Sequence, residues 1–216
     1  MKSKRIVITR AATQADKLAQ TIEDRGAIPV LYPCIAVEPP ADTRAIDQGL
    51  KMAARGEYNW IVFTSTNTVT AVRQRLTSLD IEPSRLAQAR IAAVGPGTAQ
   101  AIESELGIGV TVVPPHYEAE GLIEALRGVS GMRMLIPQSD LARPLLADGL
   151  TAAGAVVRTA PAYRIVLGKG GADVVACLGT KTTKTAESHG IRVTITPPDN
   201  TLEGLVDALA AFFAAR

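Results

Sequence analysis

The chain has 216 residues, of which 47% are hydrophobic but only 4% aromatic, and it carries a formal net charge of +2. That length gives room for one large or two small domains with aliphatic cores, and the hydrophobic fraction excludes a disordered chain. No stretch concentrates Lys and Arg, which excludes a general grip on nucleic acid, and no apolar run approaches the ~20 residues of a membrane span.

Taken in chain order, short apolar runs alternate with amphipathic stretches. Ile6 to Ile8 reads as a buried strand that stops at Thr9 and Arg10, too soon for a signal-peptide core. A cytoplasmic protein is expected. Thr13 offers an N-cap for a helix through Leu18 and Ile22 that stops at Gly26. Pro29 to Val37 reads as extended, Asp42 to Ala54 as helix, Trp60 to Phe63 as strand and Asn67 to Leu76 as helix. Ile91 to Val94 is expected as strand, Thr98 to Leu106 as helix, Val110 to Val113 as strand and Glu120 to Leu126 as helix. The opening pattern then returns with strand Met134 to Ile136, helix Leu141 to Ala153 and strand Ala155 to Val166. Strand Val174 to Leu178, a helix to His189, strand Val193 to Ile195 and helix Leu202 to Phe213 complete the series. Uniformly apolar strands, each followed by a helix, predict α/β architecture with parallel sheets covered on both faces. Ligands of such sheets bind beyond the carboxyl ends of the strands.

An internal repeat runs through this pattern. VTVVPPHYEAEGLIEAL, Val110 to Leu126, aligns without a gap on VTITPPDNTLEGLVDAL, Val193 to Leu209. Ile91 to Thr98 aligns on Val175 to Thr182, and more weakly Arg5 to Val37 aligns on Arg133 to Ile165, pairing Gly26 with Gly154. The copies are unequal. Where copy one holds residues 38–89, copy two holds only 166–173, a shortfall the size of a helix–strand–helix. Two long extended stretches suggest segments crossing between domains. The expected organisation is therefore two parallel-sheet domains joined by a two-stranded linker. Domain one is discontinuous, residues 1–34 plus 167–216, and truncated; domain two is 40–158; the linkers are 35–39 and 159–166.

Several motifs occur in a telling order. They are Thr9-Arg10 at the first strand end, Phe63-Thr64-Ser65 followed by Asn67 and Val69, and a VGPGTA turn from Val94 to Ala99. Leu135 to Pro137 with the following LARPLLADGLTAAGA, and Tyr163 on the second crossing stretch, complete the set. In this order, and with the split domain, the chain resembles uroporphyrinogen-III synthase over essentially its whole length. The resemblance implies two flavodoxin-like domains and a hydro-lyase of tetrapyrrole biosynthesis. Such an enzyme cyclises hydroxymethylbilane, inverts its last ring and expels water, without metal or organic cofactor. It also implies that a second FTS-like strand of domain one is the missing piece.

That substrate carries eight carboxylates, so the site needs hydrogen-bond donors. Hydroxyls and helix-start amides supply them without burying an equal number of cations. Thr64, Ser65 and Asn67 stand where a strand hands over to a helix, Gly95 and Thr98 occupy the next such turn, and Ser139 follows Ile136. Arg10, Lys181 and Thr182 hold analogous places, Thr182 matching Thr98 by the repeat. Each also has a purely structural reading as N-cap, turn or surface residue. Tyr163 matches a family tyrosine near the interdomain cleft, where a phenol can hydrogen-bond the leaving hydroxyl; a linker residue with buried ring and wet hydroxyl is the plainer reading.

Other chemistries are poorly represented. Cys34 and Cys177 lack metal spacing and read as two buried thiols, while His116 and His189 have no cysteine or carboxylate ladder, so no metal site is expected. Neither a Gly-x-x-x-x-Gly-Lys-Ser/Thr loop nor a Gly-x-Gly-x-x-Gly turn occurs. A receiver-like module lacks its acidic cluster after the first strand. The alternative to the enzyme is an impaired homologue that binds an anionic small molecule. No exposed apolar helix face is evident, and a monomer is expected.

Overall fold

Strands that are apolar at every position need cover on both sides, and helices packed on the two faces of a parallel sheet supply it. The computed structural model describes residues 4–9, 11, 15–167, 175–188 and 191–214. By its contacts the chain divides into two units, Met1–Ala36 with Val166–Arg216, and Val37–Ile165.

In the first unit, β1 (Arg5–Ile8) pairs in parallel with β2 (Ile28–Leu31) across helix α1 (Asp16–Asp24). Ala176 and Ile195 form a single parallel bridge, flanked by α7 (Thr180–Ser188) and α8 (Leu202–Ala214). Ile6, Ile8, Leu18, Ile22, Ala176, Ile195, Val206 and Leu209 share one core.

The second unit contains most of a five-stranded sheet in the order β3-β7-β6-β4-β5. Its strands are β3 (Ile35–Glu38), β4 (Trp60–Phe63), β5 (Arg90–Ala93), β6 (Arg133–Ser139) and β7 (Val156–Leu167). The β4–β5, β4–β6 and β6–β7 ladders are all parallel, and Val112 adds one parallel bridge to Ala92 beyond β5. Side chains alternate across the sheet, as strand geometry requires. Ile61, Phe63, Ile91 and Leu135 pack against α2 (Arg44–Ala53) and α3 (Thr66–Ser78). Trp60, Val62, Ala92, Met134 and Ile136 pack against α5 (Ala119–Ala125) and α6 (Leu145–Ala152).

The repeat is written into the hydrogen-bond register. Arg5 pairs with Ile28 as Arg133 pairs with Val156, and the bridge Ala176–Ile195 repeats Ala92–Val112. Gly26 and Gly154, aligned by the repeat, both end their helices with positive φ, 77° and 89°, a conformation that glycine adopts without strain.

Several expectations need correction. The extended stretch Pro29 to Val37 is two strands interrupted at Tyr32-Pro33-Cys34, since proline supplies no ladder N–H. Val110 to Val113, residues 175–178 and Val193 to Ile195 are not strands but carry one bridge each, and Val174 falls outside the described residues. The helix expected from Leu141 begins at Leu145, because Pro144 occupies its N-cap and disfavours helical backbone at Arg143. The helix expected at Thr98 begins earlier, as α4 (Pro96–Ala101), and passes into a π turn, Ile102–Leu106, that ends at Gly107 with φ 65°. A 3-10 helix, Pro83–Gln88, was not expected. The capping role of Thr13 and the helix end at His189 fall outside the described residues.

Candidate active site at the carboxyl edge of the second unit

Because the ladders run parallel, every strand of the second unit's sheet that ends near a candidate residue ends on the same edge. β4 gives way to Thr64 and Ser65, and Ser65 adopts an extended conformation with its Oγ accepting the Thr68 N–H at 3.2 Å. That is an N-cap bond, satisfying one of the donors that a helix start leaves open. Thr64 and Asn67 are half-buried beside it, and Asn67 is itself partnered.

The neighbouring strand repeats the arrangement. Ala93 is in register with Phe63, and the Val94 N–H donates to the Phe63 carbonyl at 2.9 Å. Gly95 then caps α4 with Pro96 at the first helical position, where its missing N–H costs nothing. A Cβ on Gly95 would lie 3.2 Å from that of Tyr117, so glycine lets this aromatic side chain close on the turn. Thr98 is buried in the first turn of α4.

On the other side of β4, β6 ends at Ser139, which pairs with Tyr163 of β7. The register slips here: Gln138 faces Pro161 and Ser139 faces Tyr163, leaving Ala162 as an extra residue. Such a bulge re-aims the side chains after it. Ala160, Ala162 and Tyr163 consequently all reach the core shared with α2 and α3. Tyr163 is 7% exposed, and its hydroxyl lies 3.4 Å from Ser65 Oγ, at the long end of hydrogen-bonding reach. Asp140 pins the bulge: its N–H donates to the Tyr163 carbonyl at 3.0 Å, and its Oδ1 accepts from the Ile165 N–H and from Ser139 Oγ, both at 3.2 Å.

The structure thus brings Ser65 and Tyr163 into contact, and sets Thr64, Gly95, Thr98 and Ser139 on the same sheet edge. Lys181 and Thr182 belong to the first unit, both exposed in the first turn of α7. The repeat pairs Thr182 with Thr98, yet one is exposed and the other buried. Arg10 lies outside the described residues. Cys34 is half-buried, not buried as expected, and Cys177 is buried; burial pushes both thiols up. Among the described residues no group of three or more His, Cys, Asp and Glu is placed to hold a metal ion, and no helix is long and apolar enough to cross a membrane. Sequence reasoning missed Thr68 and Asp140. The Ser65-x-x-Thr68 spacing is a capping signal for the first, whereas nothing in the sequence announces the bulge that Asp140 secures.

Comparison with known proteins places these observations. The family model described as uroporphyrinogen-III synthase HemD matches residues 16–174. The uroporphyrinogen-III synthase of Synechococcus elongatus is 33% identical over 162 residues, covering 74% of this chain and 60% of that protein. The chain therefore spans about three fifths of that relative's length. A mutant uroporphyrinogen III synthase from Thermus thermophilus superposes with a TM-score of 0.65 at 15% identity, covering 99% of this chain and 100% of that one. The Helicobacter pylori enzyme gives 0.59 at 14% identity, covering 98% and 100%. At such identities the two structures speak for a mixed α/β fold with parallel sheets.

Proposed function

Since the chain belongs to the uroporphyrinogen-III synthase family, we propose that it converts hydroxymethylbilane to uroporphyrinogen III, closing the macrocycle with inversion of the last ring and loss of water. The observation that carries this reading is the Tyr163 hydroxyl set beside Ser65 at the carboxyl edge of a parallel sheet.

The chemistry asks little of acid and base groups. The lone pair of the terminal pyrrole nitrogen pushes out the hydroxyl of the hydroxymethyl arm, which takes the Tyr163 phenol proton and departs as water. The cationic azafulvene that remains is attacked by the substituted α-carbon of the last ring. The bond from that carbon to its old methylene bridge breaks, the bridge rejoins the ring at its free α-carbon, and the proton lost there returns to Tyr163. Holding the two ends together is the larger task, and orientation of this kind supplies several kcal/mol. Hydroxyls of Thr64, Thr98 and Ser139, with the amides near Ser65, Asn67 and Gly95, would receive propionate and acetate arms. Arg10, Lys181 and Thr182 would do so from the first unit. No metal or cofactor enters this scheme.

The same reading takes the chain as two flavodoxin-like domains, residues 1–34 with 167–216 and residues 40–158, joined by segments 35–39 and 159–166, in a cytoplasmic monomer. Supporting it, the strands counted from β6, as the repeat orders them, run 2-1-3-4-5 from β7 to the Val112 bridge, which is the flavodoxin order. Incubation with hydroxymethylbilane, oxidation and chromatographic separation of the porphyrin isomers tests the activity. The type III isomer is expected in excess; type I alone, the spontaneous product, would contradict it.

A further inference from the structure

The geometry points to Thr68 as a positioning residue that fixes which way the Tyr163 proton faces. This rests on Tyr163 being the donor to the leaving hydroxyl. Ser65 Oγ has one proton to give and two lone pairs to fill. One lone pair takes the Thr68 N–H at 3.2 Å. Thr68 Oγ1 lies 2.9 Å from the same oxygen, and Ser65 is its one hydrogen-bond partner among the described residues. The Thr68 side chain is fully buried, so its hydroxyl has no water to turn to, and leaving its proton unpaired there is costly.

With the Thr68 proton directed at Ser65, both lone pairs of Ser65 Oγ are occupied. Among the described residues its own proton then has one acceptor left, the Tyr163 oxygen at 3.4 Å. Tyr163 becomes an acceptor from the protein, and its phenol proton is left to point outward. The order of donation is Thr68 to Ser65 to Tyr163 to the departing hydroxyl. Without the Thr68 hydroxyl, Ser65 regains a lone pair and can accept from Tyr163, turning the phenol proton inward, where it is useless to substrate. The apo separation of 3.4 Å fits a bond that shortens once substrate is bound, as catalytic hydrogen bonds commonly do.

The test is a cycle of variants, Thr68→Val, Thr68→Ser, Tyr163→Phe and Thr68→Val with Tyr163→Phe, assayed for kcat and KM of type III formation, with Tm recorded for each. Thr68→Val is expected to lower kcat about fivefold, the worth of one neutral hydrogen bond, with KM unchanged. Thr68→Ser should restore kcat, and Thr68→Val should cost nothing further once Tyr163 is Phe. If Thr68→Val fails to fold, Thr68→Ala against Thr68→Ser gives the same comparison. An unchanged kcat in Thr68→Val beside a lowered one in Tyr163→Phe overturns the relay alone, as does a loss additive with Tyr163→Phe. A Tyr163→Phe enzyme as fast as the parent, or a parent that yields no type III isomer, overturns the reading beneath it and the relay together.

Discussion

Ser65 serves two purposes with one oxygen. It caps α3 through the Thr68 N–H and lies against Tyr163 from the other side of the sheet edge. Ser65→Ala should therefore lower stability by about 1 kcal/mol, the usual worth of an N-cap, and lower kcat for type III formation, while Ser65→Asp keeps the cap but not the activity. Chemical denaturation and initial rates on the same samples separate the two effects; a kcat that follows stability alone, returning in Ser65→Asp, would leave Ser65 only its capping role. The position of Ser65 was legible from sequence because N-cap chemistry is local. Its neighbour was not. Tyr163 is 98 residues away in the chain, and the slip that turns it toward Ser65 arises from one unpaired residue, Ala162, whose sequence context carries no bulge signal.

Among the elements, α2 and α3 are tied across the sheet surface by Asp47 and Arg75, whose two side chains meet through paired hydrogen bonds, the Nη2–Oδ2 one at 2.7 Å. The Arg75 guanidinium, helped by the Thr43 hydroxyl, holds the Asp47 carboxyl below the usual carboxylate range. The carboxylate is 18% exposed, so solvent screens the pair only in part. A depressed native pKa contributes stability above the unfolded value of about 4 and loses it as pH falls through the lower native value. Asp47→Asn should cost about 2 kcal/mol at neutral pH and flatten the fall in Tm below pH ~4; identical acid profiles for parent and variant would show the pair contributes nothing. Gly154→Ala should destabilise by about 1–2 kcal/mol, since its φ of 89° is left-handed and the added Cβ would meet Ser130 Oγ at 2.8 Å; an unaltered Tm would contradict this. The helices and buried strands were readable from periodicity. The outer strands were not, because Val112, Ala176 and Ile195 make single bridges that apolar runs cannot distinguish from full ladders. Pro144 delayed a helix that periodicity alone began too early.

For the whole molecule, duplication explains more than any single motif. Two copies of one pattern, paired in the same registers, place helix starts and hydroxyls at the carboxyl edges of parallel strands. The copies have diverged: the second unit carries β4 and the part-buried Ser65–Thr68–Tyr163 cluster, whereas the first offers Lys181 and Thr182 on an exposed helix turn. Most of this plan could be read before any coordinates, since the repeat and the order of motifs are properties of the sequence; what could not be read is the convergence of side chains that only pairing between distant strands creates. The site itself can be located by titrating isotope-labelled protein with uroporphyrin III and following backbone amide NMR signals. Perturbations should concentrate at residues 64–67, 95–98, 139–141 and 163. Perturbations confined to the opposite edge of the sheet, around Asn59, Arg90, Arg133 and Val156, would contradict a site at the carboxyl ends.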